Sequence, residues 1–185
     1  MHTVKQPKLA KQPRNIVLIV GESFGNWPFL PKYKDLGLVD NMLALQNSAD
    51  AAHIATMLPH GSGTISAVNG LVSGIPDIGL YENYQANSFN NKYATGIGYI
   101  MKQLGYKTVF WYGGFSGWQN IGKFTKAQSF DEFHCADEFS DNSGNVWGCS
   151  DAVLFKQIEA YMSKEKEQEK VFHVVLTTSN HPPYS

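Results

Sequence analysis

Glu22, Thr64 and His181 are the residues whose types and settings best suit chemistry. Glu22 ends the stretch Asn15-Ile-Val-Leu-Ile-Val-Gly-Glu, a short apolar, β-branched run closed by a glycine. A buried strand that delivers an acid at its carboxyl end is how open α/β sheets build sites. Carboxylate oxygens there suit a hard divalent cation; the plain alternative is an acid capping the next helix. Thr64 follows the breaker-rich loop Pro59-His-Gly-Ser-Gly63 and opens a helical pattern. Backbone amides at such a point favour an anion. A threonine there is usually an N-cap, and a free threonine hydroxyl needs a metal to become a nucleophile. His181 ends Leu176-Thr-Thr-Ser-Asn-His181-Pro-Pro, where a histidine at a strand end can contact an anion or move a proton. Trp118 lies in the glycine-rich stretch 113–120 and could pack on a glycerol or sugar; most tryptophans are packing residues. Gly21-Glu-Ser23-Phe-Gly25 matches the nucleophile elbow of serine esterases. It follows the first strand, however, with no earlier segment to bring an oxyanion loop. His53, His60, His134 and His173 have no ligand spacing and read as structural or surface residues.

These side chains need a sheet to converge. Three runs, 15–20, Lys107 to Trp111 and Val171 to Leu176, read as strands. Helices are predicted over about 41–50 with Asp40 as N-cap, from Thr64 with Ile65, Val68, Leu71 and Val72 on one stripe, over 95–104 closed by Gly105, and over 151–167 capped by Ser150. Residues 53–58 read as a short strand. Residues 73–94 and 113–148 read as irregular, the latter mostly loop with short elements. The charged run 164–170 reads as a solvated helix end. Strands alternating with helices imply an α/β fold with a mostly parallel sheet flanked by helices.

At 185 residues the chain fits one domain. Its 15 basic and 16 acidic residues leave a net charge of −1, without the basic footprint of nucleic-acid binding. No apolar run reaches the roughly 20 residues of a membrane helix. Residues 1–14, with two prolines and four basic residues, read as an extended tether or an ordinary loose terminus. Cys135 and Cys149 could form a disulfide or remain thiols, and make a poor metal site.

The ordered set of segments around Glu22, Gly63-Thr64-Ile-Ser, Leu104-Gly-Tyr-Lys-Thr108, Trp147-Gly-Cys-Ser-Asp151 and Thr178-Ser-Asn-His-Pro-Pro-Tyr184 resembles the lipoteichoic acid synthase-like branch of the alkaline phosphatase/sulfatase superfamily. These are phosphoglycerol and phosphoethanolamine transferases of bacterial envelopes. The resemblance implies an alkaline phosphatase-like fold. It implies Glu22 as a metal ligand, Thr64 as ligand and nucleophile, and His181, Trp118 and Asn120 at the substrate. The cofactor implied is a divalent metal, manganese, zinc or magnesium. The partners implied are a phospholipid headgroup donor and a glycan or glycerol-phosphate acceptor, with a membrane-anchored parent protein on the extracytoplasmic face of the membrane. Thr64-Ile-Ser-Ala-Val stands where sulfatases need C/S-x-P-x-R, which disfavours sulfate esters. The family's loop before Trp118 carries His and Asp, and an Arg follows; here Tyr112, Gly114 and Asn120 hold those approximate places. The family also completes its metal site with a later Asp-His pair, which residues 1–185 do not contain. The expectation is therefore the amino-terminal part of a larger catalytic domain, residues 15–185, itself inactive. The transfer would pass through a phosphothreonine at Thr64. A serine esterase using Ser23 and a non-catalytic relative that binds lipid headgroups are the alternatives.

Overall fold

The structure is a computed structural model that describes residues 11–54, 56–140 and 144–182. Its centre is a four-stranded sheet of β1 (Asn15–Val20), β2 (Lys107–Tyr112), β3 (Glu132–Cys135) and β6 (Val171–Leu176), ordered β1-β6-β2-β3. Every pairing in it is parallel. A two-stranded antiparallel hairpin, β4 (Gly144–Asn145) and β5 (Gly148–Cys149), forms a second sheet tied by Gly148 to Gly114 just past β2. The helices are α1 (Asp40–Gln46), α2 (Thr64–Ser73), α3 (Ala86–Asn90), α4 (Ile97–Gln103), α5 (Ile121–Ala127) and α6 (Asp151–Met162).

The two-residue period of the strands divides the core in two. Phe110, Tyr112, Phe133, Phe172, Val174 and Leu176 point to one face, where Val68 and Val72 of α2, Met101 of α4 and Ile121 and Phe124 of α5 cover them. Val109, Trp111, Val171 and Val175 point to the other, where Val153, Leu154 and Ile158 of α6 pack. Helices on both faces make the central strand β6 buried throughout, and its sequence is accordingly almost continuously apolar. Its exception, His173, sits fully buried under α6. Edge strand β1 alternates instead, with Val17 and Ile19 exposed on the α6 side.

Several local expectations are corrected. Residues 53–58 form no strand among those described. Ile54, Met57 and Leu58 are exposed at 75%, 81% and 82%, so the apolar run has no sheet to bury it. Residues 113–148 contain a fourth sheet strand, β3, and helix α5, which the loop reading missed. Asp40 lies inside α1 and Val39 takes the cap position without a side-chain bond. Helix α6 does begin at a Ser150 cap that accepts from the Val153 amide, but it stops at Met162. The charged run beyond it is not simply solvated, because the Glu165 side chain is buried. Cys135 is a free, buried thiol in the α2-side core, so it is not bridged to Cys149, which belongs to the α6 side. Residues 1–10 of the expected tether lie outside the described residues. Residues 11–14 are exposed, and the main chain there is held at the amino end of the sheet by Val171 N donating to Arg14 O and Tyr106 Oη donating to Pro13 O. No helix among the described residues is long and apolar enough to cross a membrane.

Candidate active site

Strands β1, β6 and β2 run side by side and end together, so the residues after them share one edge of the sheet. Glu22 follows β1 by two residues. Its position is fixed across the strand boundary: Thr177 N donates to Val20 O at 3.1 Å, and the Glu22 amide donates to Thr177 Oγ1 at 3.2 Å. Thr177, the first residue past β6, therefore aligns the Glu22 backbone. Sequence reasoning did not single it out; the Thr-Thr pair after a buried run was the available signal.

Thr64 arrives on α2. Gly63 is the extended N-cap and Thr64 the first helical residue, so Thr64 is not the cap that its residue type suggested. The cap is closed by Ser66, whose Oγ accepts from Gly63 N at 3.2 Å and donates to Gly63 O at 3.0 Å. The Gly63 amide is thus engaged, whereas the next amides, those of Thr64 and Ile65, have no partner within the helix. The approach is tight. A Cβ on Gly61 would lie 2.2 Å from Ser66 Oγ, so the loop needs glycine there. The outcome is a direct contact across 42 residues: Thr64 Oγ1 donates to Glu22 Oε1 at 2.7 Å. The Glu22 side chain is only 7% exposed. Both residues line a cleft of about 390 Å³ bounded by Gly21, Ser23, Pro59, Gly61–Gly63, Val68 and Leu176.

His181 joins them, with Nε2 at 3.8 Å from Glu22 Oε1. Its Nδ1 lies 2.7 Å from Pro182 O. A carbonyl only accepts, so Nδ1 carries a hydrogen, and the ring's Nε2 faces Glu22. At 3.8 Å the two are in electrostatic range but too far apart for a hydrogen bond. Tyr112, the last residue of β2, lies within electrostatic reach of Glu22. Burial, then the nearby charges of Glu22 and Cys135, push its hydroxyl far above the ordinary tyrosine value, so it stays protonated.

Trp118 and Asn120 do not line this cleft. Trp118 leans on Tyr112 with ring centres 5.6 Å apart. Asn120 donates to Asn83 O at 3.4 Å and sits at φ 55° in a 3₁₀ turn, Trp118–Asn120. That turn is tied to α2 through Asn69 Nδ2–Asn83 Oδ1 at 2.8 Å and Asn83 Nδ2–Gln119 O at 2.6 Å. Ser23 is exposed at φ 55°. The chain after it enters 3₁₀ turns at Trp27–Phe29 and Pro31–Leu36 rather than an α-helix, and the nearby imidazole faces Glu22. Two supports of the elbow reading are therefore missing.

The donor set partly fits a hard cation. Glu22 and Thr64 bring two hard oxygens within 2.7 Å of each other, but no group of three His, Cys, Asp or Glu side chains suited to a metal occurs among the described residues.

The chain is 27% identical over 98% of its length to phosphoglycerol transferase I of Escherichia fergusonii, and 26% identical to the protein of that name from Escherichia coli. It spans about a quarter of the length of these relatives, 24% in each case. A protein in the alkaline phosphatase superfamily from Vibrio parahaemolyticus superposes with a TM-score of 0.78 at 24% identity, covering 95% of this chain and 42% of that one. The zinc complex of the periplasmic domain of EcEptC from Escherichia coli gives 0.65 at 16% identity, covering 94% and 46%. The lipoteichoic acid synthase LtaP from Listeria monocytogenes gives 0.54 at 20% identity, covering 66% and 30%. The Sulfatase family profile matches residues 14–185, nearly the whole sequence, and the chain belongs to that family.

Proposed function

We propose that this chain carries the nucleophile-bearing part of an envelope enzyme that transfers a phosphoglycerol-type headgroup from a phospholipid to a glycan or glycerol-phosphate acceptor. The observation that carries the reading is the 2.7 Å contact between Thr64 Oγ1 and Glu22 Oε1 in a cleft beside a helix start. The matches to phosphoglycerol transferases supply the substrate class. The parent protein would act at the extracytoplasmic face of the membrane.

Glu22 and Thr64 would hold a divalent cation, whose chemistry there is to lower the pKa of the threonine hydroxyl and neutralise phosphate charge. Thr64 Oγ1 attacks the donor phosphorus and the diacylglycerol oxygen leaves with a proton. A phosphothreonine ester remains until an acceptor hydroxyl attacks the same phosphorus and restores Thr64. Free amides at the start of α2 face the growing negative charge. His181 Nε2 can contact a phosphate oxygen or pass a proton to the departing alcohol. Burial of Glu22 keeps water from competing for its oxygens. Trp118 and Asn120 are retained as headgroup contacts only if the bound donor extends beyond the cleft toward the 3₁₀ turn.

The test uses the full-length protein with headgroup-labelled phosphatidylglycerol and no acceptor. Label on the peptide containing Thr64, lost in Thr64→Ala, is the expected result. Transfer that survives Thr64→Ala contradicts the reading, and label on Ser23 would replace it with the esterase.

A further inference from the structure

We propose that Asp151 is a positioning residue for His181, acting through a clasp between the start of α6 and the loop after β6. The inference rests on the reading that Glu22, Thr64 and His181 form one reacting centre. Asp151 Oδ1 accepts two amide hydrogens from that loop, from Thr178 N at 2.9 Å and Ser179 N at 3.1 Å. Ser179 returns the contact, its Oγ accepting from Asp151 N at 2.8 Å. Thr178 Oγ1 donates to Cys149 O at 3.0 Å. The clasped turn then delivers the histidine directly, with His181 N donating to Thr178 O at 3.0 Å.

A second grip comes from the same stretch of chain. The Trp147 ring lies 3.9 Å from the His181 ring, and its Nε1 donates to Pro182 O at 2.8 Å. Pro182 O is the atom that fixes the Nδ1–H form of His181. Residues 147–151 thus hold the loop, the ring and the tautomer together. They are themselves anchored on the end of β2 by Cys149 N donating to Gly113 O at 2.9 Å. An acid in the first turn of a helix is ordinarily explained by the helix dipole and capping. Here Ser150 already occupies the cap, and the Asp151 carboxylate bonds a different element. Two amides held by one carboxylate oxygen are stronger than neutral hydrogen bonds and fix direction as well as distance.

The expected behaviour separates positioning from mere support. In the full-length protein with phosphatidylglycerol vesicles, Asp151→Ala should lower kcat/KM roughly 10- to 100-fold, the scale of misplacing a reacting group by about an ångström. Asp151→Asn, whose side-chain oxygen still accepts both amides, should keep most of the activity. Trp147→Phe, which keeps an aromatic ring beside His181 and loses the indole donor, should fall between them. In a His181→Ala background, Asp151→Ala should cost nothing further, because the residue it positions is gone. Nitrogen NMR of the His181 imidazole should show the Nδ1–H form in the parent and its loss in Asp151→Ala. Equal losses in both backgrounds, with the imidazole signals unchanged, would overturn the proposal and leave Asp151 as a helix-start residue. If Thr64→Ala retains full transfer, the reading of the reacting centre fails instead, and the imidazole signals alone decide the clasp.

Discussion

Two glutamate–histidine pairs among the described residues, one under α6 and one at the carboxyl edge of the same sheet, are built to opposite ends. Glu165 and His173 meet under α6, with Oε1 and Nε2 2.9 Å apart and side chains 2% and 0% exposed. Every other polar face of that pair is filled. Trp111 Nε1 donates to His173 Nδ1 at 3.2 Å, which places the remaining hydrogen on Nε2 facing Glu165. Asn15 Nδ2 donates to Glu165 Oε2 at 2.9 Å, and the Arg14 guanidinium lies 3.8 Å from the same oxygen. Glu22 and His181 stand 3.8 Å apart at the rim, with Thr64 as the third member and a cleft beside them. The same two residue types serve as a strut where they are buried and ringed by Trp111, Asn15 and Arg14, and as a candidate reaction centre where a cleft lies beside them. Residue identity does not separate the two; enclosure does.

The contrast can be broken most sharply at the open pair. Glu22→Gln, which keeps the size and can still accept from Thr64, removes the charge that would hold a cation. Headgroup transfer by the full-length protein should fall by roughly 10³-fold or more, with the melting temperature within a few degrees of the parent. An equal loss of stability would mean that Glu22 is a strut as well.

Glu165→Ala should show the reverse. Removing one side of a buried polar pair leaves His173 Nε2 and Asn15 Nδ2 without a partner, at a cost of about 3 kcal/mol in urea unfolding. The kcat of the fraction that remains folded should be nearly unchanged, because the strut is on the other face of the sheet from α2.

A smaller effect distinguishes the strut by pH. Burial outweighs the pull of Glu165 and holds the His173 pKa below its ordinary 6.5, with Lys107 lowering it further and Glu132 raising it. Below about pH 6.5 the unfolded chain takes up a proton that folded His173 refuses. Stability attributable to this group is therefore complete above that pH and declines as the pH falls toward the folded value, by up to about 1.4 kcal/mol per pH unit. Denaturant titrations between pH 7.5 and 5.5 should show that slope in the parent and a flatter one in His173→Gln. Glu132 acts lower down. Burial favours raising it, but hydrogen bonds from Lys107, His134 and Tyr161 prevail and hold it at about 2. Its contribution is present above the ordinary 4.5 and lost as the pH falls from there through about 2.

Strands β1, β2 and β6 were legible because parallel strands covered on both faces need unbroken runs of apolar and β-branched residues. The junctions Gly21-Glu22 and Gly63-Thr64 were legible because glycine before a polar residue marks a sharp exit from regular structure. Strand β3 was not, since Glu132 and His134 break its apolar pattern. They are tolerated because Lys107 lies 2.6 Å from Glu132 and Tyr161 donates to it at 2.8 Å, contacts from distant sequence that no local window contains. Residues 53–58 erred the other way, since an apolar run becomes a strand only where a neighbour offers hydrogen bonds. Glu165 was hidden in a charged run for a similar reason: its burial depends on His173 and Asn15, eight and 150 positions away. The convergence of Glu22, Thr64 and His181 followed from strand ends and the family pattern. Trp118 and Asn120 were placed by pattern alone, and the turn that carries them leans on Tyr112 and Asn83 rather than into the cleft.

The most direct test is a manganese-soaked crystal structure of the full-length protein, read by anomalous scattering. One peak within about 2.3 Å of both a Glu22 carboxylate oxygen and Thr64 Oγ1, the range for hard cations on oxygen, is the predicted result. A peak bound elsewhere, or Glu22 and Thr64 too far apart to touch one ion, would contradict it.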